Sequence, residues 1–381
     1  MNYFLSPRCS LKWLEVPAVY HIPKDELYEL DEPAFAVLER AASAGGCEVD
    51  ESDRAFLDYA LTEGILTTVG TGMKRPALRK SPRPSLRYLE LQITRRCNLR
   101  CGHCYIGPPE NRELPLNKIM RVLREFEEAQ GLRLLITGGE PLLHRDFRQM
   151  NDALPDYAFR KILLTNGTLL GRRTLRSLHV DEIQMSVDGL EIGHDALRGK
   201  GAYRKTMNAL DEVRDSGIDV SVSTMVHSAN LNDFEEMERL FREKGVREWT
   251  VDVPCGAGNL VHHPSLQVSP EVAGRYLRYG FGEGLHGGGE GFACGLHLAS
   301  VMADGKVARC AFHSESSVGD IAEGLETCWS RISPLALREL KCDCAMRELC
   351  RGGCRYRAKL LGDARGKDLY RCAAFAVPEQ K

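Results

Sequence analysis

The run Thr94-Arg-Arg-Cys-Asn-Leu-Arg-Cys-Gly-His-Cys-Tyr105 places three cysteines, Cys97, Cys101 and Cys104, directly after the apolar, strand-like stretch from Tyr88 to Thr94. Three thiolates can hold three irons of a four-iron cluster and leave the fourth iron free for an exogenous ligand. A structural zinc site would require a fourth protein ligand nearby, and neither His103 nor its neighbours give the paired knuckle spacing of a zinc ribbon. The spacing C-x3-C-x2-C followed by an aromatic residue therefore reads as an iron-sulfur site at the end of a strand.

Outward from this run, residues 88–254 alternate strand and helix. Strands are predicted at Tyr88–Thr94, Arg133–Thr137, Lys161–Thr165, Glu182–Val187, Asp219–Val226 and Glu248–Val253, with helices at Leu116–Gln130, Asp146–Leu154, Leu169–Leu178, Tyr203–Ser216 and Asn232–Glu243 between them. Six strands with helical crossovers imply an α/β fold with a parallel sheet, curled into a partial (β/α)6 triosephosphate-isomerase barrel that is open along one side. Functional residues of such barrels sit at the carboxyl ends of the strands. Here those ends carry Gly138-Gly139-Glu140 after the second strand, Asn166 after the third, Ser186 and Asp188 at the fourth and Thr224 on the fifth. Two glycines let the backbone approach a ligand closely, and the carboxylate beside them can accept hydrogen bonds from an ammonium group. Asn166 and Asp188 are equally open to a turn role, because each precedes a glycine.

The 381 residues, 43% hydrophobic and 27% charged, allow a large core in two or three domains. A net charge of −2 gives no footprint for nucleic acid, and no apolar run reaches membrane-spanning length. No secretion signal is visible, so the 14 cysteines read as reduced, metal-bound thiolates in the cytoplasm rather than as disulfides. Residues 1–70 read as a small separate unit with strand-like segments near Leu11–Val16 and Ala18–Ile22, amphipathic helices at Pro33–Ala44 and Glu51–Glu63, and a short strand at Ile65–Val69. The basic, proline-rich residues 71–87 read as a flexible linker, residues 88–260 as the barrel and residues 261–381 as a third unit.

That third unit holds Cys294-x10-Gly305-x4-Cys310, then Cys342-x-Cys344-x5-Cys350-x3-Cys354, then Cys372. Met302 to Cys310 reads as a hairpin turning at Asp304-Gly305, and Gly352-Gly353 leave backbone amides free to face a cluster. Cys255, just after the sixth strand, is open to three roles: a fourth cluster ligand, a hydrogen-atom donor or a small buried filler. Cys9, Cys47 and Cys328 read as small buried hydrophobes.

These motifs resemble the radical S-adenosylmethionine (SAM) enzymes, and the carboxyl-terminal cysteines resemble the SPASM domain found on members that act on peptides. The resemblance implies that Cys97, Cys101 and Cys104 hold a four-iron cluster whose free iron chelates SAM, which is cleaved to a 5′-deoxyadenosyl radical. It assigns Gly138, Gly139 and Glu140 to the methionyl amino group and Ser186 to the ribose and carboxylate. Asn166, Asp188 and Thr224 are further SAM candidates, and the backbone of Tyr105 faces the adenine. It also implies two auxiliary four-iron clusters, an inner one on Cys294, Cys310 and Cys354 and an outer one on Cys342, Cys344, Cys350 and Cys372. Only Asp343 separates Cys342 from Cys344, where the family has two residues. Residues 1–70 are similar to the winged-helix precursor-recognition domain of ribosomal peptide maturation systems, which takes a leader peptide as an added strand. The implied function is hydrogen abstraction from a ribosomally made precursor peptide, leading to a crosslink or an oxidation, with a flavodoxin- or ferredoxin-type electron donor. Alternatives are a tetrapyrrole side-chain-modifying enzyme of haem pathways and a sulfatase-maturing type, although Ala311 stands where the latter has an aspartate base. An electron carrier without SAM chemistry is disfavoured by the intact Gly138-Gly139-Glu140.

Overall fold

The computed structural model describes residues 2–49, 53–70, 76–282 and 289–376. Residues 71–75 of the expected linker, the first two residues of the helix expected from Glu51 and the last five residues of the chain lie outside the described residues.

The amino-terminal unit contains β1 (Phe4–Leu5), β2 (Cys9–Trp13), β3 (Pro17–His21), β4 (Glu26–Glu29), the helices Glu32–Ala41 and Arg54–Thr62, and β5 (Leu66–Thr67). β2, β3 and β4 form an antiparallel sheet in that order, and β1 pairs with β5. Asp31 caps the first helix by accepting the Ala34 amide at 2.9 Å, and Pro33 sits in the first turn, where no amide is needed. That helix buries Phe35, Val37, Leu38 and Ala41. β4 was not among the strands expected from the sequence. Its sequence, Glu-Leu-Tyr-Glu, is half-exposed at a sheet edge and carries little apolar alternation.

The centre of the molecule is a nine-stranded sheet. Six parallel strands, β6 (Tyr88–Thr94), β7 (Arg133–Gly138), β8 (Arg160–Thr165), β9 (Glu182–Ser186), β10 (Asp219–Met225) and β11 (Glu248–Asp252), lie side by side in chain order. The connecting helices include Leu116–Glu128, Ala202–Ser216 and Phe234–Glu243, and one more than expected, Glu191–Arg198, stands between β9 and β10. Beyond β6 the sheet continues into the carboxyl-terminal part of the chain. β12 (Leu298–Val301) pairs in parallel with β6, and β13 (Lys306–Ala308) and β14 (Gly319–Asp320) follow antiparallel. The expected hairpin at Asp304-Gly305 is present, with Gly305 at φ 89° and the Met302 amide bonded to the Lys306 carbonyl at 2.9 Å. The hydrophobic core lies between the sheet and its helices, where Leu89, Leu91, Ile136, Leu163, Ile183 and Val222 are all fully buried. Among the described residues no helix is long and apolar enough to cross a membrane.

The amino-terminal unit closes the end of the barrel where the strands begin. Lys12 Nζ donates to the carbonyls of Gly131 at 2.8 Å and Ala158 at 3.0 Å. Arg133, the first residue of β7, bonds Asp25 at 2.7 Å. Arg160, the first of β8, donates to the carbonyls of Ile22 and Pro23 and pairs with Glu182 at 2.8 Å and Asp219 at 2.6 Å. Leu14, Tyr20 and Ile22 pack on Leu132. The stretch read as a linker is fixed from Ser81 onward: the Ser81 amide bonds the Trp13 carbonyl at 2.8 Å, and Glu15 accepts from Ser85 and Arg87 at 2.7 Å each. A free tether was expected there from composition; buried Ser81, Ser85 and Leu86 anchor it instead.

Candidate functional site

At the opposite end of the barrel, where β6 to β11 finish, a cavity of about 270 Å3 is lined by Cys97, Cys101 and Cys104 together with Gly138, Gly139, Asn166, Ser186, Asp188 and Cys255. The loop that carries the three cysteines is held from below and from the side. Gly139 and Glu140 donate their amides to the carbonyls of Thr94 and Arg96 at 2.8 Å each. A Cβ on Gly138 would strike the Thr94 carbonyl and one on Gly139 the Arg96 carbonyl. The two glycines are therefore required by the approach of the cysteine loop itself, where a bound ligand was expected to be the approaching group. Gly258, at φ 57°, presses on the backbone of Cys104 and Tyr105 in the same way, and Asn259 bonds the carbonyls of Cys104 at 2.9 Å and Cys101 at 3.0 Å.

Burial pushes the Cys101 thiol up to about 11, against the opposing pull of the Arg198 guanidinium, and it raises Cys97 as well. Three thiols around one cavity form a donor set for cations that compensate the thiolate charge. Among the described residues no three Cys, His, Asp or Glu side chains converge on a single-ion site. A four-iron cube is held at its corners, so ligand sulfurs arranged around a cavity fit it better than they fit one zinc ion.

Glu140 is fully buried and is not part of the cavity wall. Its carboxylate accepts from the Thr165 hydroxyl at 2.9 Å, the Asn166 amide at 3.0 Å and the Leu142 amide at 3.3 Å, and burial raises it to about 7. Asn166 does line the cavity, but its side chain is also a turn cap: Oδ1 accepts the Thr168 amide at 2.9 Å and Nδ2 donates to Asn98 at 3.0 Å. Asp188 is fully buried and ion-paired with Arg198, and it accepts the Met225 amide at 2.7 Å; the Arg198 charge holds it down at about 2 in spite of burial. Tyr105 donates no hydrogen bond into the cavity. Its hydroxyl accepts from Gln92 at 3.1 Å and its ring lies 4.4 Å from that of Phe312.

Thr224 is the residue the structure moves away from the site. Its hydroxyl donates to the Val187 carbonyl at 2.5 Å and accepts from Trp249 Nε1 at 2.8 Å, on the side of β10 that carries Val220 and Val222. Ser223 and Met225 face the cavity instead. The period-two alternation of the strand decides this, and Thr224 shares its parity with the two valines. Arg198 was missed by sequence reading. It reaches the cavity from the unexpected helix Glu191–Arg198, and its Nη1 lies 3.9 Å from Cys101 Sγ. The available signal was its place in the segment following a strand end.

The carboxyl-terminal cysteines form two groups. Cys310 has Cys294 and Cys354 as charge neighbours, and Tyr356 lies beside Cys255, Cys310 and Cys354. Phe312 bridges this group to the cavity, with its ring 4.4 Å from Tyr105 and 5.7 Å from Tyr356. Further out, Cys372 has Cys350 and Cys342 as neighbours, and the Gly352 amide points at Cys350 Sγ at 3.3 Å from a run of left-handed residues, Arg351, Gly352 and Gly353. Cys344 is exposed and accepts the Met346 amide at 3.4 Å.

The Radical SAM superfamily model matches residues 91–241, the stretch that carries the cysteine triad and the first five barrel strands. Residues 91–241 are a radical SAM domain. The domain makes the chain an enzyme. The AdoMet-dependent heme synthase of Nitratidesulfovibrio vulgaris is 27% identical over 183 residues, 45% of this chain and 50% of that protein. The mycofactocin maturase MftC of Mycolicibacterium smegmatis is 26% identical over 304 residues, 70% of this chain and 77% of that protein. The chain spans about half the length of the heme synthases that it matches. Streptococcus suis SuiB, solved bound to precursor peptide SuiA, superposes with a TM-score of 0.69 over 96% of this chain and 98% of that chain at 15% identity, which shows a shared fold around the radical SAM domain.

Proposed function

We propose that this chain is a radical SAM maturase that modifies a ribosomally made precursor peptide. The observation that carries the reading is the position of the inner carboxyl-terminal cysteine group beside the triad cavity, across Tyr105, Phe312 and Tyr356. Cys97, Cys101 and Cys104 would hold a four-iron cluster with SAM beside it in the cavity, and the pair would supply the radical chemistry for hydrogen abstraction from the substrate. The chain's own residues do the rest. Arg198, ion-paired to Asp188 and facing the cavity, offers a cation for the SAM carboxylate, and Ser186 offers a hydroxyl on the same wall. Glu140 sets the Gly138-Gly139 turn under the cysteine loop, and the backbone of that turn, which lines the cavity, would face the SAM ammonium group. Cysteine groups at Cys294, Cys310 and Cys354 and at Cys342, Cys344, Cys350 and Cys372 would hold auxiliary clusters, which would supply electron-transfer chemistry, and an external low-potential donor would be the partner that reduces the protein. The amino-terminal unit, with β4 as a free sheet edge, would receive the leader peptide as an added strand.

The expected iron content after anaerobic reconstitution is about ten to twelve per chain, three four-iron clusters. Replacing Cys97, Cys101 and Cys104 by Ala together should abolish reductive SAM cleavage and leave roughly two thirds of the iron. An intact protein that saturates near four irons refutes the three-cluster reading.

A second reading, modification of a tetrapyrrole side chain, is favoured by the likeness to the heme synthase. It predicts a visible difference spectrum when an iron porphyrin is titrated into the reconstituted protein. Turnover of a precursor peptide without such a spectrum decides for the maturase.

A further inference from the structure

We infer that the carboxyl-terminal unit holds a binding site for the phosphoryl group of a small molecule, in a cavity separate from that of the cysteine triad. The inference is independent of the function proposed above. This second cavity, of about 480 Å3, shares no lining residue with the first. Five cations stand in its wall: Arg309 just after β13, Arg331, Arg355 and Lys359 on the helix Arg355–Leu360, and Arg365. One carboxylate, Glu339, shares the wall.

Ion pairing accounts for two of the five charges. Arg331 pairs with Glu323 at 2.8 Å and Arg365 with Glu339 at 3.4 Å. Among the described residues the other three have neutral acceptors. Lys359 Nζ donates to the Ser316 hydroxyl at 3.0 Å, Arg309 Nη2 to the Ser333 carbonyl, and Arg355 Nη1 to the carbonyls of Ala364 at 2.9 Å and Gly366 at 2.8 Å. These bonds fix the side chains in the wall and leave their charges uncompensated. The charge extends from exposed Arg331, Lys359 and Arg365 to Arg355, which is 3% exposed, so the group is more than a solvated surface patch. A buried guanidinium of this kind is stabilised by an anion brought to it. His313, in the same wall, feels the excess: burial pushes its imidazole down to about 4, and the charges of Lys359 and Arg309 act in the same direction. Cations from several stretches of chain suit a group that carries more than one negative charge and has oxygens in every direction, which is a phosphoryl group rather than a single planar carboxylate. Val318, Ile332 and Leu335 supply an apolar part of the wall, and the cavity is large enough for more than one phosphate ion. The ligand class is therefore a phosphorylated small molecule, with free phosphate as the other source of the same group.

The test titrates ADP, inorganic phosphate and adenosine into the anaerobically reconstituted full-length protein by isothermal calorimetry, in about 0.15 M potassium chloride, where exposed charges beyond about 8 Å are screened. ADP should bind, and Lys359→Glu should weaken it at least tenfold. Arg365→Ala should weaken it less, because Arg365 is already paired with Glu339. Phosphate that binds as tightly as ADP, with the same dependence on Lys359, supports the site and identifies the free ion as its source. A melting temperature equal to the parent's shows that Lys359→Glu has folded; Lys359→Gln, which removes the charge without reversing it, should give a smaller loss and serves if the Glu variant does not fold. Arg148→Glu, at an exposed position on the helix Phe147–Ala153 outside the cavity, should change nothing. Binding of neither ADP nor phosphate, or ADP binding that ignores both Lys359→Glu and Arg365→Ala, overturns the inference. An equal loss in Arg148→Glu, or adenosine binding that depends on Lys359 as ADP binding does, overturns it as well.

Discussion

Glu140 and Asp188 are both fully buried carboxylates at strand ends, and their surroundings push them in opposite directions. Asp188 has the Arg198 guanidinium and stays ionised; Glu140 has only neutral donors, so burial outweighs its three hydrogen bonds and raises it to about 7. For an acid raised on folding, the native state holds the proton more tightly than the unfolded chain. The stabilisation is complete below the unfolded value of 4.5 and is lost as pH rises through about 7. The variant Glu140→Gln should remove that pH-dependent loss while costing about 1–3 kcal/mol, because its amide nitrogen faces a donor. Denaturant unfolding at a series of pH values measures both. The same variant tests the proposed contact with the SAM ammonium group: if the carboxylate reaches it, SAM binding should weaken by about ten- to a hundredfold, read by titrating SAM against the reduced cluster. Unchanged SAM affinity would leave Glu140 as a support of the Gly138-Gly139 turn alone.

At the scale of elements, β4 and the start of β8 have different tasks. The Leu30 amide bonds the Pro17 carbonyl, and Glu29 is paired with Ala18 one position earlier, so the amide and carbonyl of exposed Glu29 point away from β3. Replacing Glu29 with Pro removes an outward donor and leaves the ladder to β3 in place. Precursor affinity, measured by fluorescence anisotropy of a labelled leader, should fall at least tenfold with uncoupled SAM cleavage unchanged. Equal affinity would show that the leader does not add to this edge. At β8, Arg160 has no exposed side-chain surface and joins Glu182, Asp219 and the carbonyls of Ile22 and Pro23. Arg160→Leu leaves a buried carboxylate without its cation and should cost about 3–5 kcal/mol, read as a lower denaturation midpoint.

Across the whole molecule, the amino-terminal unit and the triad cavity are placed at opposite ends of one barrel. The amino-terminal unit covers the end where the strands begin, and the triad cavity opens where they finish. Under the proposed maturase function, a precursor captured on β4 would pass along the outside of the barrel to present its core segment. The unit is also a structural lid. Deleting residues 1–70 uncovers Leu132 and strips Asp25 from Arg133, so the truncated protein should melt several degrees lower, whereas Glu29→Pro should not. Differential scanning calorimetry separates the two, and an unshifted melting temperature after deletion would mean that the unit contributes recognition only.

The cysteine spacing, the six strand ends and the hairpin at Asp304-Gly305 were legible in the sequence because each depends on neighbours a few residues away: ligand spacing, hydrophobic alternation and turn chemistry. The same alternation placed Thr224 with Val220 and Val222 on the packed face, a signal that a motif-led reading passed over. Other features required the tertiary structure. That Gly138 and Gly139 yield to the cysteine loop, that Arg198 turns toward Cys101, that residues 81–87 are anchored and that Arg357 ties the end of β11 to Asp368 all depend on segments far apart in the chain. No local pattern encodes such meetings, because they follow from sheet register and from how buried charges find partners once the barrel has closed.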